Sequence, residues 1–144
     1  MQLGDKGTEL IQRFEKLEYT SYPDQGGVWT IGWGHTGPDV TAGLTCTGDQ
    51  ADAWFRQDTA KAVRAVLSSV DVAICQNQFD ALVAFTYNVG VGAEAHSTLV
   101  KYVNANRFDL AALEFLKWNH VNGQVSNGLT RRRQAEHDLF LATA

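Results

Sequence analysis

The spacing of apolar side chains changes three times along the 144 residues. Over residues 5 to about 16, Leu10, Ile11, Phe14 and Leu17 fall on one arc of a helix, and Asp5 or Thr8 suits its N-cap. From about 19 to 36, β-branched and aromatic residues flank Gly26-Gly27, the signature of two short strands and a turn. Thr47-Gly48-Asp49-Gln50 has capping-box spacing and opens a helix reaching about residue 68, with Phe55, Ala62 and Val66 on its inner face. FDALVAFTYNV, Phe79 to Val89, is apolar nearly all round, which predicts a central buried helix closed by Gly90 and Gly92. Further helices are expected at Ser97–Asn104, Phe108–Trp118 and Leu129–Leu141, the last two separated by VNGQVSNG. Strands early and helices late predict an α+β, mostly helical fold with a small antiparallel β-sheet near the N-terminus.

Composition narrows the function. One domain is the default at this length. A net charge of −4 does not suit a general polyanion binder, so nucleic acid is not an expected partner. Two cysteines, Cys46 and Cys75, exclude a disulfide-stapled miniprotein and leave one bridge or two free thiols open. No stretch has signal-peptide character or bilayer-spanning length, so no stable membrane association is expected.

The candidate chemistry lies in FEKLEYTSYPDQGGVWTIGWGHTG, Phe14 to Gly37. If Gln25-Gly26-Gly27 forms a three-residue loop, Asp24 opposes Val28 and Tyr22 opposes Thr30, so Asp24 and Thr30 share a face; a four-residue loop would turn Thr30 away. Alternation along the second strand places Thr30, Gly32 and Gly34 on that face, a bare shelf suited to a groove floor. It places Ile31, Trp33 and His35 on the other. Glu15 lies at the margin of the first helix's apolar arc, where half-burial favours a protonated carboxyl. A protonated Glu15 facing an ionised Asp24 is the pairing that glycoside hydrolysis requires. The plainer reading is also open: a solvated helix end, a turn acid and a β-forming threonine.

The spacing of Glu15, Asp24 and Thr30, followed by Ile31-Gly32-Trp33-Gly34-His35, resembles the phage-type lysozymes, the muramidase endolysins of tailed bacteriophages. QNQFDALVAFTYNVG, STL, EFLKW and GLTRRRQAEHDLF resemble later blocks of that family in the same order, so the resemblance covers most of the chain. It implies a two-lobed fold, with a small β-containing lobe at about residues 15–65 and a helical lobe at about 70–144 joined by the N-terminal helix. It implies hydrolysis of the β-1,4 bond between N-acetylmuramic acid and N-acetylglucosamine in peptidoglycan, with inversion and without metal or cofactor. Glu15 would be the general acid, Asp24 the base or electrostatic partner, and Thr30 the residue that positions water. Inversion implies a carboxyl separation of about 6.5–9.5 Å. A monomer is expected, made in the host cytoplasm and reaching the wall after a separate pore-forming step, to lyse the cell. Two positions depart from the family: Lys16 stands where glycine is usual, and Ala95 where phenylalanine is frequent.

Other residues carry two readings each. His35 is expected to brace the hairpin, with Asp71 as its partner. The histidines His35, His96, His120 and His137 raise the alternative of a metal-dependent wall amidase, weakened by their scatter and by the lack of an HExxH pair. An inactive peptidoglycan-binding module is the third possibility. Arg131 or Arg132 is expected to brace the cleft near Glu15, and Asn88 to contact substrate. Trp29, Trp54 and Trp118 are expected in the core.

Overall fold

The computed structural model describes residues 1–142. In chain order the elements are α1 (Asp5–Glu15), β1 (Glu18–Pro23), β2 (Trp29–Gly32), α2 (Gly48–Ser69), α3 (Gln76–Val89), α4 (Val91–Ala95), α5 (Thr98–Asn104), α6 (Phe108–Phe115), β3 (His120–Val121), β4 (Gln124–Val125) and α7 (Asn127–Leu141). The fold is mostly helical, with a small two-stranded antiparallel sheet following the first helix.

Each long helix starts for a local reason except the first. The Thr47 hydroxyl accepts from Gln50 N and the Gln50 side chain accepts from Thr47 N, so the expected capping box opens α2. Ser126 caps α7 by accepting from Leu129 N. Neither Asp5 nor Thr8 caps α1. The N-cap is Gly4, and the buried Asp80 carboxylate of α3 accepts from Gly4 N at 2.9 Å and Gly7 N at 3.2 Å. A cap supplied from 76 residues away leaves no local signature.

The core forms around α3. Phe79, Leu82, Val83 and Phe85 pack with Val66, Leu99, Val103, Phe115 and Phe140, and Phe85 meets Phe115 and Trp118 edge-on. Leu10 and Ile11 of α1 join through Ala84. Glu94 of α4 is fully buried, with one carboxylate oxygen accepting from the Ser69 hydroxyl at the end of α2.

β1 and β2 pair with Tyr22 opposite Thr30 and Asp24 N donating to Val28 O, the register that a three-residue loop requires. The expected alternation stops at Gly32. Gly32 and Gly34 take φ of +65° and +84°, and Ile31 and His35 exchange both backbone hydrogen bonds, so the chain turns back on itself instead of extending. Gly32 is thereby directed against Ala51 and Trp54 of α2 and is not a groove floor. Trp29 is also not core: it sits beside the hairpin turn and is 39% exposed. The expected helix to Trp118 ends at Phe115, and the segment VNGQV forms the small β3–β4 hairpin. Cys46 and Cys75 are both free thiols.

Candidate active site

Glu15 is the last residue of α1, Asp24 begins the β1–β2 turn and Thr30 lies in β2; all three line one open cleft of about 950 Å³. Gly34, Asn88, Arg131 and Arg132 line it as well. The volume is near the top of the usual range for small-ligand sites, about 300–1,000 Å³, as suits an extended ligand.

The Glu15 side chain is 16% exposed, and its Oε2 accepts from Arg132 Nη1 at 2.6 Å. Its other oxygen lies against Gly34, where a Cβ would collide with the carboxylate. Glycine at position 34 is therefore required twice, by its φ and by the approach of Glu15. Asp24 is held by its own turn: Oδ1 accepts from Gly26 N and Val28 N, each at 2.9 Å. This side-chain-to-backbone turn fixes the carboxylate while leaving Oδ2 free of any hydrogen bond among the described residues. The Thr30 hydroxyl donates to Val28 O at 2.9 Å, which orients its lone pairs to accept from a bound water.

Behind Glu15 lies a buried ion network. Arg132 contacts Glu15 and Glu136 and donates to Ala84 O; Arg133 lies 2.8 Å from Glu136, donates to Asn88 and stacks over Phe85. The Arg133–Glu136 approach through Nε is close enough for charge attraction but is not aligned as a hydrogen bond. Burial opposes the Arg132 charge, but the carboxylates of Glu15 and Glu136 outweigh it and hold the guanidinium above its ordinary value. Burial pushes Arg133 down to about 10, with Glu136 pulling the other way. Burial also raises Glu136, against the pull of both arginines.

Of the two expected braces, Arg132 reaches Glu15 while Arg131 is exposed at the rim. Asn88 lines the cleft and is oriented by Arg133. His35 braces the turn, but not through Asp71. Its Nδ1 is 2.8 Å from Asp58 and its Nε2 3.1 Å from Asp39, and the ring stacks on Trp54. Asp71 lies elsewhere, its backbone N donating to Asn104. Trp54 and Trp118 are partly buried against His35 and Phe85. The four histidines do not gather with other acids or thiols into a metal-holding group among the described residues.

Several cleft residues were missed in the sequence. Tyr22 shares the face of Thr30, a signal already present in the strand register. Burial, then the nearby Glu15, Glu18 and Asp24, raise its phenol. Tyr87 donates to Trp33 O at 2.5 Å, tying α3 to the turn. Gln25 accepts from Ser126 at 2.6 Å and so links the hairpin tip to the cap of α7 across the cleft. Lys16 closes α1 with φ of +56°, a conformation that side chains rarely adopt and that costs about 1–3 kcal/mol.

A short helix ending in a carboxylate, a glycine-rich hairpin presenting a second one, and a helical core built around α3 define a lysozyme-like architecture. Residues 12–136 match the phage lysozyme family, and the chain belongs to it. It is similar to the endolysin of Bacillus phage B103, 44% identical over 144 residues that are 98% of this chain and 54% of that protein. The chain thus spans about half the length of that relative. Among solved structures, an endolysin from Escherichia coli O157:H7 phage FAHEc1 superposes with a TM-score of 0.86 at 40% identity, covering 98% of this chain and 94% of that one. The muramidase domain of SpmX from Asticaccaulis excentricus also gives 0.86, at 38% identity and 99% coverage of both chains.

Proposed function

We propose that this chain is a muramidase that cleaves the β-1,4 bond between N-acetylmuramic acid and N-acetylglucosamine in peptidoglycan, with inversion at the anomeric carbon. The observation that carries this reading is that Glu15 and the Asp24–Thr30 pair line the same cleft from different elements. The endolysin and muramidase names of its relatives support the substrate.

Glu15 donates a proton from Oε1, the oxygen that Arg132 does not contact, to the leaving glycosidic oxygen, while Arg132 holds Oε2 in place. Asp24 and Thr30 hold a water on the opposite side of the sugar, and Asp24 accepts its proton as oxygen attacks carbon. Asn88 and Gly34 contact the glycan from the cleft wall, and Arg132 of α7 ties down the end of α1 through Glu15. The cleft divides a β-containing lobe of about residues 15–65 from a helical lobe that begins at about residue 70 and includes α1. No helix among the described residues is long and apolar enough to cross a membrane. The enzyme acts as a monomer on the periplasmic wall, which it reaches through a separate pore, and so lyses the host.

A turbidity assay on permeabilised Gram-negative cells, paired with reducing-sugar release, tests the reading. The parent should clear the suspension and release reducing ends, while Glu15→Gln should lose about 10²–10⁴-fold in rate. Release of amino groups without reducing ends would establish an amidase instead.

A further inference from the structure

Tyr87 and Asn88 are consecutive in the last turn of α3 and both line the cleft, but their side chains tie to different elements. Asn88 accepts from Arg133 of α7 at 2.7 Å. The Tyr87 hydroxyl donates to Trp33 O at 2.5 Å, 54 residues away in the turn that follows β2. The ring of Tyr87 belongs to the helical side. It packs on the Leu10–Ile11–Ala84 cluster that joins α1 to α3, and its centroid is 5.9 Å from that of Phe55 on α2. One side chain thus has its ring fixed to the helix that ends in Glu15 and its hydroxyl fixed to the turn that carries Gly34.

The two meet at the acid. Glu15 Oε1 lies so close to Gly34 that a Cβ there would strike the carboxylate. Gly34 stands between Trp33, whose carbonyl receives the Tyr87 hydrogen bond, and His35, whose backbone exchanges hydrogen bonds with Ile31. A shift of the Trp33 carbonyl therefore moves Gly34 against Oε1, and a misplacement of about 1 Å can cost about 10²-fold in rate. The packing of the ring has no need of the hydroxyl, since a phenylalanine fills the same space beside Phe55. Burial, then the carboxylates of Glu15 and Asp58, hold the phenol above its ordinary value against the pull of Arg132, so it donates as a neutral group.

Building on the muramidase reading, we infer that Tyr87 is a positioning residue for the general acid. Its hydroxyl sets the gap between the end of α1 and the turn after β2, so that Gly34 backs Oε1 in the geometry that proton donation requires. Tyr87 acts through Trp33 and Gly34 and leaves the polar groups that face the glycan in place. Its loss therefore falls on turnover and not on glycan affinity.

Release of reducing ends from soluble peptidoglycan glycan is measured at steady state for the parent, Tyr87→Phe and Asn104→Ala. Asn104 donates to Ser69 O and accepts from Asp71 N, away from the cleft lining, so its loss lowers stability with no path to Glu15. Tyr87→Phe should lower kcat about tenfold and keep KM within about twofold of the parent's. Asn104→Ala should lower Tm and leave both constants at parental values. Parental kcat in Tyr87→Phe, or a change confined to KM, would overturn the inference. So would an equal fall of kcat in Asn104→Ala, which would trace the rate to stability alone. By NMR, the Gly34 amide and the Glu15 side-chain carboxyl resonances should both shift in Tyr87→Phe and in Asn104→Ala stay as in the parent; unshifted resonances in Tyr87→Phe would also overturn it. A parent that releases no reducing ends defeats the muramidase reading, and these resonances still decide whether Tyr87 sets the contact between Glu15 and Gly34.

Discussion

The two walls of the cleft hold their polar groups by opposite means. On the hairpin wall, Asp24 and Thr30 are fixed by backbone groups no more than four residues away. On the helical wall, Glu15 is fixed by Arg132, 117 residues along the chain, and Arg132 in turn by the buried Glu136. The hairpin groups sit where a turn forms, at little cost to the rest of the molecule. The helical group rests on charges removed from water, whose pairing supports both site and fold. Changes on the hairpin wall should therefore act on rate with little effect on stability, and changes behind the helical wall on both.

The largest break in this contrast is expected at Glu136. Glu136→Leu strips the buried arginines of their shared carboxylate and should destabilise by about 3–5 kcal/mol in denaturant unfolding. Thr30→Val keeps the buried shape and removes the hydroxyl; it should slow turnover about 10²-fold while Tm stays close to the parent's. Gln25→Ala cuts the link between hairpin tip and α7 and should cost about 1 kcal/mol, with greater amide exchange confined to the turn.

Glu94 gives a pH-dependent control away from both walls. Burial holds its carboxyl above the ordinary value, against the Ser69 hydroxyl, which pulls it down. The cost of burying the anion is absent below the unfolded pKa of about 4.3 and complete above the folded one, so it destabilises as pH rises. Glu94→Gln should raise Tm by a few degrees at pH 7, where that cost is removed, and leave it almost unchanged at pH 4.

The same local-versus-distant contrast explains what could be read from the sequence. The capping box of α2, the buried period of α3 and the register that puts Tyr22 opposite Thr30 are written in neighbouring residues, and the structure has them as expected. Alternation failed past Gly32 because two positive φ values override a period of two. The cap of α1 by Asp80, the tie of Asp58 to His35 and the network behind Glu15 join segments far apart, and no pattern within a segment encodes them. For His35 a carboxylate partner was inferable, but its identity depended on how α2 packs against the turn. The β3–β4 hairpin, which brings His120 and Val121 to the cleft, is too short to show strand periodicity.

Central to the account is a water held by Asp24 and Thr30 on the side of the sugar away from Glu15. Proton NMR of the first product formed from a β-1,4-linked glycan reads this geometry before mutarotation erases it. Attack from that side gives the α-anomer at the new reducing end. The β-anomer as first product would mean that oxygen arrives on the same face as the departing group, and would contradict the arrangement.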